Sequence, residues 1–311
     1  KEIESFVPET YFKLTATFKT KNNDEYEGTY FENEEDKFKN KEMLEDIEQA
    51  LQDKTATVID KQVEQKREYP PYLFNLSNLQ GYITSKYKGW TSDKVLKVAQ
   101  SLYEKKFITY PRTASVVLEE SLVGRAAKVL ETLKKGLPYE NEIKFSKLKR
   151  VFDNSKVESH SAIVPTYLIP KSLTRDEEMV YTAIKNRFIM QFMPVAEYEE
   201  TKITTKVDSS EITGVFISKG KVQLVEGWKK VEQIESKDMI LPFVNVNEIV
   251  SIVEHTISSH VTKPPKHHTE KTLLRVMETC GKRYDDEESE EMMDAILSGF
   301  SIGTPATRAE T

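Results

Sequence analysis

Two side chains with complementary chemistry stand two residues apart in Phe107–Thr113, which reads FITYPRT. Tyr110 carries a phenolic oxygen that can act as a nucleophile, and Arg112 carries a guanidinium that is cationic at any physiological pH. Pro111 fixes its own φ and disfavours helical geometry at the residue before it. The segment therefore predicts a phenol on a stiff turn, close to a cation that suits a phosphate oxygen. Most tyrosines are packing residues with a solvated tip, so this pair alone does not establish a nucleophile.

The basic residues of the chain are concentrated around this segment. The whole chain has 45 Lys and Arg against 51 Asp and Glu, a net charge of −6. Residues 70–194 contain 20 Lys and Arg against 12 Asp and Glu, so they carry +8 and the remainder carries −14. Charge alone would favour a solvated lysine-rich surface. Because the excess coincides with Tyr110, we interpret it as the electrostatic footprint of a nucleic-acid partner.

The elements that must position Tyr110 follow from periodicity, and the first of them are strands. Residues 11–18 alternate between apolar and polar side chains, as is typical of a half-buried antiparallel strand. A short helix after the second strand has an apolar stripe of Met43, Leu44, Ile47 and Leu51. The other predicted strands are 26–31, 55–66, 200–207, 211–218, 221–225 and 246–255.

Between Pro70 and Pro194 the periodicity is helical. Thr174 and Glu177 form a capping box that begins the last helix of this part. The other predicted helices are 76–87, a helix capped by Ser92, 116–135 with Gly136 as its stop, and, after a linker at 262–265, 269–280 with Gly281 as its stop. An acidic solvated stretch at 285–291 and a further short helix before Ser298 follow.

The order of these elements predicts an α+β fold in which a β-rich domain is interrupted by a helical one. We assign residues 1–69 and 195–261 to the β-rich domain and residues 70–194 to the helical domain that carries Tyr110. Residues 262–311 form the start of a further helical segment. The chain begins at Lys1 without a methionine, and we expect it to be a piece of a longer protein.

Several classes of protein are disfavoured by composition. No apolar run approaches the ~20 residues that span a bilayer, so we expect no membrane partner. The single cysteine, Cys280, excludes a disulfide framework or a cysteine-rich zinc site, and we expect a cytoplasmic protein. His267 and His268 are adjacent and cannot both face one metal from a helix, and no carboxylate or cysteine has ligand spacing. We therefore predict no metal site in this chain.

Four sequence blocks together resemble the type IA DNA topoisomerases, and specifically their topoisomerase III branch. The blocks are PYLFNLSNLQ at 71–80, ITYPRT at 108–113, SHSAIVPT at 159–166 and IGTPATRA at 302–309, in the order and approximate spacing of that family. The resemblance implies a toroidal fold in which the β-rich domain forms an arch that carries the helical domain. It also implies a partner, DNA, preferentially single-stranded, and we expect a monomer.

The resemblance implies a role for individual residues. Tyr110 would attack a phosphodiester of single-stranded DNA to give a 5′-phosphotyrosine and a free 3′-hydroxyl, and religation after strand passage would need no ATP. Arg112 would stabilise the transferring phosphoryl oxygens, and His160 would contact the phosphate or assist proton movement. Contacts to DNA are expected from Ser77, Gln80, Arg187, Thr307 and Arg308. For Arg187 a side chain that packs its stem and exposes its tip is an equally good interpretation.

Two departures from the family pattern qualify this interpretation. Ala114 stands where the family usually has an acidic residue after the YPR[ST] motif. The toprim domain, which in the family precedes these blocks and supplies a lysine, a glutamate and an Mg²⁺-binding acidic triad, has no counterpart in this chain. We therefore expect Mg²⁺ to be bound outside this chain, and the isolated chain to cleave DNA weakly or not at all.

Two other functions compete with a topoisomerase. The first is a non-catalytic module that binds single-stranded DNA through the same helical domain. The second is a tyrosine recombinase, which needs several arginines and a histidine upstream of its tyrosine. It ranks last because His160 follows Tyr110 and no RxxR-type set precedes it.

Overall fold

The structure, a computed structural model, describes residues 3–279 and 307–309. The chain divides into two compact units. The barrel unit comprises Lys1–Glu68, Ala196–Glu226 and Glu235–His267, and the helical unit comprises Tyr69–Val195, Gly227–Ile234 and His268–Thr311. The predicted acidic stretch at 285–291 and the short helix before Ser298 lie outside the described residues.

Six antiparallel strands of the described chain close into a barrel with the strand order β1-β2-β5-β4-β3-β6. The predicted α+β class is confirmed, with three strands before the helical insertion and three after it. Glu68 at the end of β3 is the register partner of Ala196 at the start of β4, so the insertion leaves and rejoins the sheet at one point. The strands are β1 Thr10–Lys19, β2 Glu25–Phe31, β3 Thr55–Glu68, β4 Ala196–Val207, β5 Val215–Val225 and β6 Ile249–Val261.

The barrel has an apolar interior because its strands alternate. On β1, Leu14, Ala16 and Phe18 are buried, while the residues between them are partly exposed. Phe216 of β5 packs edge-on against Phe18 with 5.4 Å between ring centroids. The short helix α1, Lys41–Ala50, begins where the Asn40 side chain accepts a hydrogen bond from the backbone of Met43. Its residue Leu44 belongs to the barrel core.

Five helices form the framework of the described part of the helical unit. The Thr174–Glu177 capping box predicted for the longest of them is present. Leu79, Val95, Ala99 and Ile184 are fully buried in its core, which lies between α2, α3 and α5. The helices are α2 Leu76–Lys86, α3 Ser92–Glu104, α4 Val123–Leu133, α5 Arg175–Met190 and α6 Glu270–Thr279.

Three local predictions were wrong. The helix predicted over 116–135 begins only at Val123, because Leu118 pairs in extended form with the segment around Phe152. The strands predicted at 211–218 and 221–225 are one strand, β5, which begins at Val215 and continues through Gly220. The cap of α3 is Thr91, which accepts a hydrogen bond from the backbone of Lys94, so that Ser92 is the first helical residue.

None of the helices described by the structure combines the length and the apolar character needed to cross a bilayer. A short 3-10 helix, Gly227–Glu232, groups with the helical unit, although the sequence pattern places it in the β-rich domain.

Candidate active site

The segment that carries Tyr110 is tied to a second segment of the helical unit. It begins after α3, where Lys106 adopts a positive φ of 65° and turns the chain. The backbone of Thr109 donates to the carbonyl of Val164, and that of Thr166 donates to the carbonyl of Phe107, both at 3.0 Å. The Thr109 hydroxyl adds a hydrogen bond to the Ala162 carbonyl at 2.9 Å. Tyr110 therefore follows a short, firmly anchored extended stretch.

Tyr110 and His160, which lie 50 positions apart in the numbering, are in ring contact. Their ring centroids are 4.7 Å apart with an interplanar angle of 51°. Tyr103, on the last turn of α3, also packs edge-on against Tyr110 with 5.3 Å between ring centroids. Tyr110 is half-buried and His160 is exposed. The phenol thus packs against two rings, one of which is a solvent-facing imidazole.

Arg112 is exposed on the same turn as Tyr110. Within the residues that the structure describes, its guanidinium has no hydrogen-bond or ion-pair partner. A free guanidinium presents several donors in a fixed plane, which matches the oxygens of a phosphate. The predicted pairing of a phenol with an available cation is therefore present in the geometry.

Thr113 connects the turn with the loop of His160, and the sequence analysis did not single it out. It is buried, and its hydroxyl donates to the carbonyl of His160 at 3.1 Å. Its own carbonyl accepts from the backbone of Leu76, the first residue of α2, at 3.1 Å. Ser115 adds a second connection, since its hydroxyl donates to the carbonyl of Glu158 at 3.2 Å. This role depends on contacts with the distant residues His160 and Leu76, so no local signal in the sequence could have identified it.

Asn75 was also missed. It is buried and serves as the cap of α2, where its side-chain oxygen accepts from the backbone of Asn78 at 2.8 Å. Its side-chain nitrogen donates to the carbonyl of Ala114 at 3.1 Å. Ala114, which stands where the family has an acidic residue, therefore contributes its backbone carbonyl to a hydrogen bond from Asn75. Through this bond the start of α2 helps to hold the turn that carries Tyr110.

The Arg187 side chain is buried and contacts other side chains and a backbone carbonyl of the helical unit. Only 8% of its surface is exposed, and the guanidinium lies 3.9 Å from the ring centroid of Phe74. One nitrogen donates to the carbonyl of Tyr72 at 3.1 Å, and burial lowers the pKa of the guanidinium from its usual range. Of its two interpretations, a phosphate contact or a packed side chain, this arrangement favours the packed one.

Gln80 is the residue whose expected role fits the structure least. It is fully buried, and its amide nitrogen donates to the carbonyl of Ser92 at 3.1 Å, which joins α2 to α3. Neither a surface amide nor a group that DNA reaches is compatible with this position. Glutamine is ordinarily an exposed residue, so sequence pattern alone could not anticipate its burial.

Ser77 and Arg308, both expected to bind DNA, contact each other. The Arg308 guanidinium donates to the Ser77 hydroxyl at 3.4 Å and pairs with Glu278 of α6 at 3.4 Å. Both residues are buried, whereas the neighbouring Thr307 is exposed. The structure thus groups Ser77 with Arg308 and leaves Thr307 exposed, and residues 302–306 of the IGTPATRA block lie outside the described range.

The residues that the structure describes do not fit a magnesium site. In residues 3–279 and 307–309 no group of three His, Cys, Asp or Glu side chains is placed to hold a metal ion. A hard cation such as Mg²⁺ prefers several carboxylate or carbonyl oxygens around it. We therefore derive no step of the chemistry through a metal bound to this part of the chain.

Comparison with known proteins gives a consistent result. A family profile described as DNA topoisomerase matches residues 1–311. DNA topoisomerase 3 of Vibrio cholerae is 30% identical over 99% of this chain and 50% of its own length, and that of Bacillus cereus is 30% identical over 99% and 44%. The solved structure of full-length topoisomerase I from Thermotoga maritima superposes with a TM-score of 0.68 at 26% identity, covering 99% of this chain and 47% of that one. The chain spans about half the length of the curated relatives it matches.

Proposed function

The chain belongs to the type IA DNA topoisomerase family, and from that premise we propose that it carries the strand-cleaving tyrosine of a topoisomerase III-like enzyme. The single observation that carries the proposal is the Tyr110–His160 ring contact beside the free guanidinium of Arg112. In this enzyme the barrel unit would form the arch of a torus and the helical unit would bring Tyr110 to single-stranded DNA. The enzyme would act as a monomer.

The reaction we propose is an exchange of one phosphodiester for another. The Tyr110 oxygen attacks the phosphorus, the bond from phosphorus to the 3′ oxygen breaks, and a 5′-phosphotyrosine and a 3′-hydroxyl result. The phenolic proton leaves the Tyr110 oxygen, and a proton is delivered to the departing 3′ oxygen. We propose His160 for this transfer, since its ring centroid lies 4.7 Å from that of the phenol. A phenolate is also a better leaving group than an alkoxide, so the reverse attack by the 3′-hydroxyl restores the strand without ATP.

Arg112 has a separate part in this proposal. Charge on the transferring phosphoryl oxygens is stabilised best by a cation that is already in place when the transition state forms. Arg112 is exposed on the tyrosine turn and is not engaged by another described residue. The Mg²⁺ of the enzyme would belong to the toprim domain, which we expect from another part of the protein.

The test is to trap the covalent adduct. In the complete enzyme, Tyr110→Phe should abolish the 5′-phosphotyrosine adduct on labelled single-stranded DNA, because the nucleophilic oxygen is gone. Tyr103→Phe is the matched control, since it keeps the ring that packs on Tyr110 and should leave adduct formation within about 3-fold. Denaturing gels followed by peptide mapping give both readouts.

An adduct that persists in Tyr110→Phe would refute the proposed chemistry. If the unmodified enzyme binds single-stranded DNA but never forms an adduct, the chain is a binding module instead.

A further inference from the structure

An open groove of about 510 Å³ lies in the helical unit, next to the segment that carries Tyr110. Its volume is in the range of ordinary ligand pockets. Thr109, the residue immediately before Tyr110, contributes to its lining. The apolar part of the lining is formed by Leu118, Leu122, Val129, Val164 and Phe188. A ligand in this groove would therefore lie within one residue of the proposed nucleophile's backbone.

All charged side chains that line this groove are cationic. Arg125 and Lys128 contribute from α4, both are exposed, and no Asp or Glu lines the groove. In the described part of the chain, neither cationic group has a hydrogen-bond or ion-pair partner. An apolar lining beside two available cations is complementary to a ligand that has a flat apolar body and a negative charge.

An exposed aromatic ring stands at this groove. Tyr167 lines it with 76% of its surface exposed. The preceding residue, Thr166, is anchored, because its backbone donates to the carbonyl of Phe107 at 3.0 Å. A large exposed ring on an anchored backbone is the kind of platform on which unpaired nucleobases stack.

A second cavity, of about 740 Å³, continues the basic lining. Lys135, Lys171 and Lys185 contribute to it, with Glu178 as the single acidic residue. Both cavities are lined by α4 and by the segment after Val164. On α4, Lys128 lines the first groove and Thr132, one turn later, lines the second cavity; on the segment, Tyr167 lines the first and Ile169 the second. The two cavities together thus have five cations in their linings, contributed by neighbouring segments of the helical unit, and this charge suits a polyanionic strand longer than one nucleotide.

We propose that the first groove binds a nucleotide of the single-stranded DNA on which Tyr110 acts, an inference that rests on the proposed function. The base lies against Tyr167 and the apolar lining, and its phosphate lies between Arg125 and Lys128. The second cavity takes the phosphates that follow. Because a paired base cannot stack on a side chain in this way, the groove selects an unpaired strand over a duplex.

A protein helix is the competing occupant, and the charges argue against it. Such a helix would cover the apolar lining, but it would also cover two cations for which the groove supplies no acidic partner. Burying unpaired charges is unfavourable, whereas a phosphate neutralises them directly.

The first experiment measures the binding of a fluorescent oligothymidylate to this chain by anisotropy at several salt concentrations. Tyr167→Ala should weaken binding by about 10-fold, while Tyr167→Phe, which keeps the ring, should bind within about 2-fold of the unmodified chain. Exchanging Arg125 and Lys128 for glutamine should make the slope of log K against log salt shallower by about 0.7, because the one phosphate held between them is no longer neutralised. Lys147→Gln, an exposed lysine outside both cavities, is the matched control and should leave the slope unchanged.

The second experiment does not depend on affinity. An oligonucleotide with 5-iododeoxyuridine should cross-link to Tyr167 on irradiation, with the site mapped by mass spectrometry. Cross-links confined to other regions, or unchanged DNA binding in every groove variant, would overturn the proposal and leave the groove to a protein partner.

The outcomes separate this inference from the proposed function. If no Tyr110 adduct forms but DNA binding depends on Tyr167, the proposed strand cleavage is refuted and the nucleotide site in the first groove stands. If the adduct forms normally but DNA binding is unchanged in the Tyr167 variants, the nucleotide site in the groove is refuted and the proposed strand cleavage stands.

Discussion

In the proposed reaction, Tyr110, Arg112 and His160 supply the three groups that phosphoryl transfer needs: a nucleophilic oxygen, a cation and a ring nitrogen. The phenol and imidazole touch through their rings, and the guanidinium stands free on the same turn as the phenol. Thr113 and Asn75 make no proposed contact with substrate, yet they fix where these groups stand. The turn and the neighbouring phenol and cation were predictable from Pro111 and its neighbours, whereas the role of Tyr110 as nucleophile stays a prediction. The positions of Thr113 and Asn75 were not, because both depend on contacts between segments distant in the chain.

Arg112→Ala in the complete enzyme should slow strand cleavage by about 10²-fold or more, since a preplaced cation acts mainly on the transition state. Arg112→Lys should recover part of that activity, because it keeps the charge without the planar donor set. Single-turnover cleavage rates measure both. A rate within 2-fold of the unmodified enzyme for Arg112→Ala would remove this residue from the site.

His160→Ala should slow cleavage by about 10²-fold, in the range found for general acid–base groups, while the thermal midpoint changes little. The small effect on stability is expected because the side chain is exposed, and the hydrogen bond from Thr113 goes to the backbone carbonyl. Cleavage rate and thermal melting are measured on the same preparation. A large fall in the melting temperature with an unchanged rate would assign the imidazole a structural role instead.

At the scale of elements, α5 is fastened to α3 through one buried carboxylate. Glu177 is 4% exposed, and its oxygens accept hydrogen bonds from Lys105 at 2.9 and 2.7 Å and from Ser101 at 3.1 Å. These contacts, the one from Lys105 foremost, lower the pKa of Glu177 to about 2. The capping box was predictable from Thr174-x-x-Glu177 alone, but the link to α3 was not, because it requires the packed arrangement.

This carboxylate predicts a pH dependence of stability. A pKa lowered by folding stabilises the native state fully above the unfolded value near ~4.5, and that stabilisation is lost as the pH falls toward about 2. Glu177→Gln keeps a capping side chain without the charge, and it should lower the free energy of unfolding by about 1–2 kcal/mol at pH 7. Urea unfolding at pH 7 and pH 2.5 measures this difference. A gap between the two proteins that stays equal at both pH values would contradict the assignment.

The bounds of some elements were predicted from the sequence more accurately than those of others. The alternation in β1 predicted its bounds well, because the face that carries Leu14, Ala16 and Phe18 is buried. β5 was predicted as two strands because Gly220 interrupts its apolar pattern. A glycine lies there because the backbone of Met239 approaches closely: a Cβ on residue 220 would lie 3.0 Å from the Met239 carbonyl oxygen. The apolar residues 116–118 are held extended by the pairing of Leu118 with residues near Phe152, and a short 3-10 helix, Glu120–Leu122, precedes α4. Local periodicity cannot register this distant pairing.

At the scale of the whole molecule, the charge distribution opposes the net charge. The chain as a whole is acidic, but the helical part from 70 to 194 carries an excess of eight positive charges. If the chain binds DNA as proposed, the association should therefore be governed by the charge of this part rather than by the net charge of the chain.

Binding of single-stranded DNA by the chain should consequently depend strongly on salt. If about five phosphates are contacted, the affinity should fall by about 10²-fold between 50 and 200 mM salt, at a slope of about 0.7 per phosphate. Anisotropy titrations with an oligothymidylate measure the slope, and the barrel-unit variant Lys37→Gln is a control that should not alter it. An affinity that is independent of salt would exclude the basic helical surface as the contact.

The closed barrel has a consequence for how the chain assembles during synthesis. Its first three strands are made before the helical insertion, but β1 and β3 each take β6 as a neighbour, and β6 ends only at Val261. Contacts between segments so distant in the chain form slowly compared with local ones. Most of the helical unit therefore leaves the ribosome while the barrel still has unpaired strand edges, and the last strand converts an open, association-prone sheet into a ring without free edges.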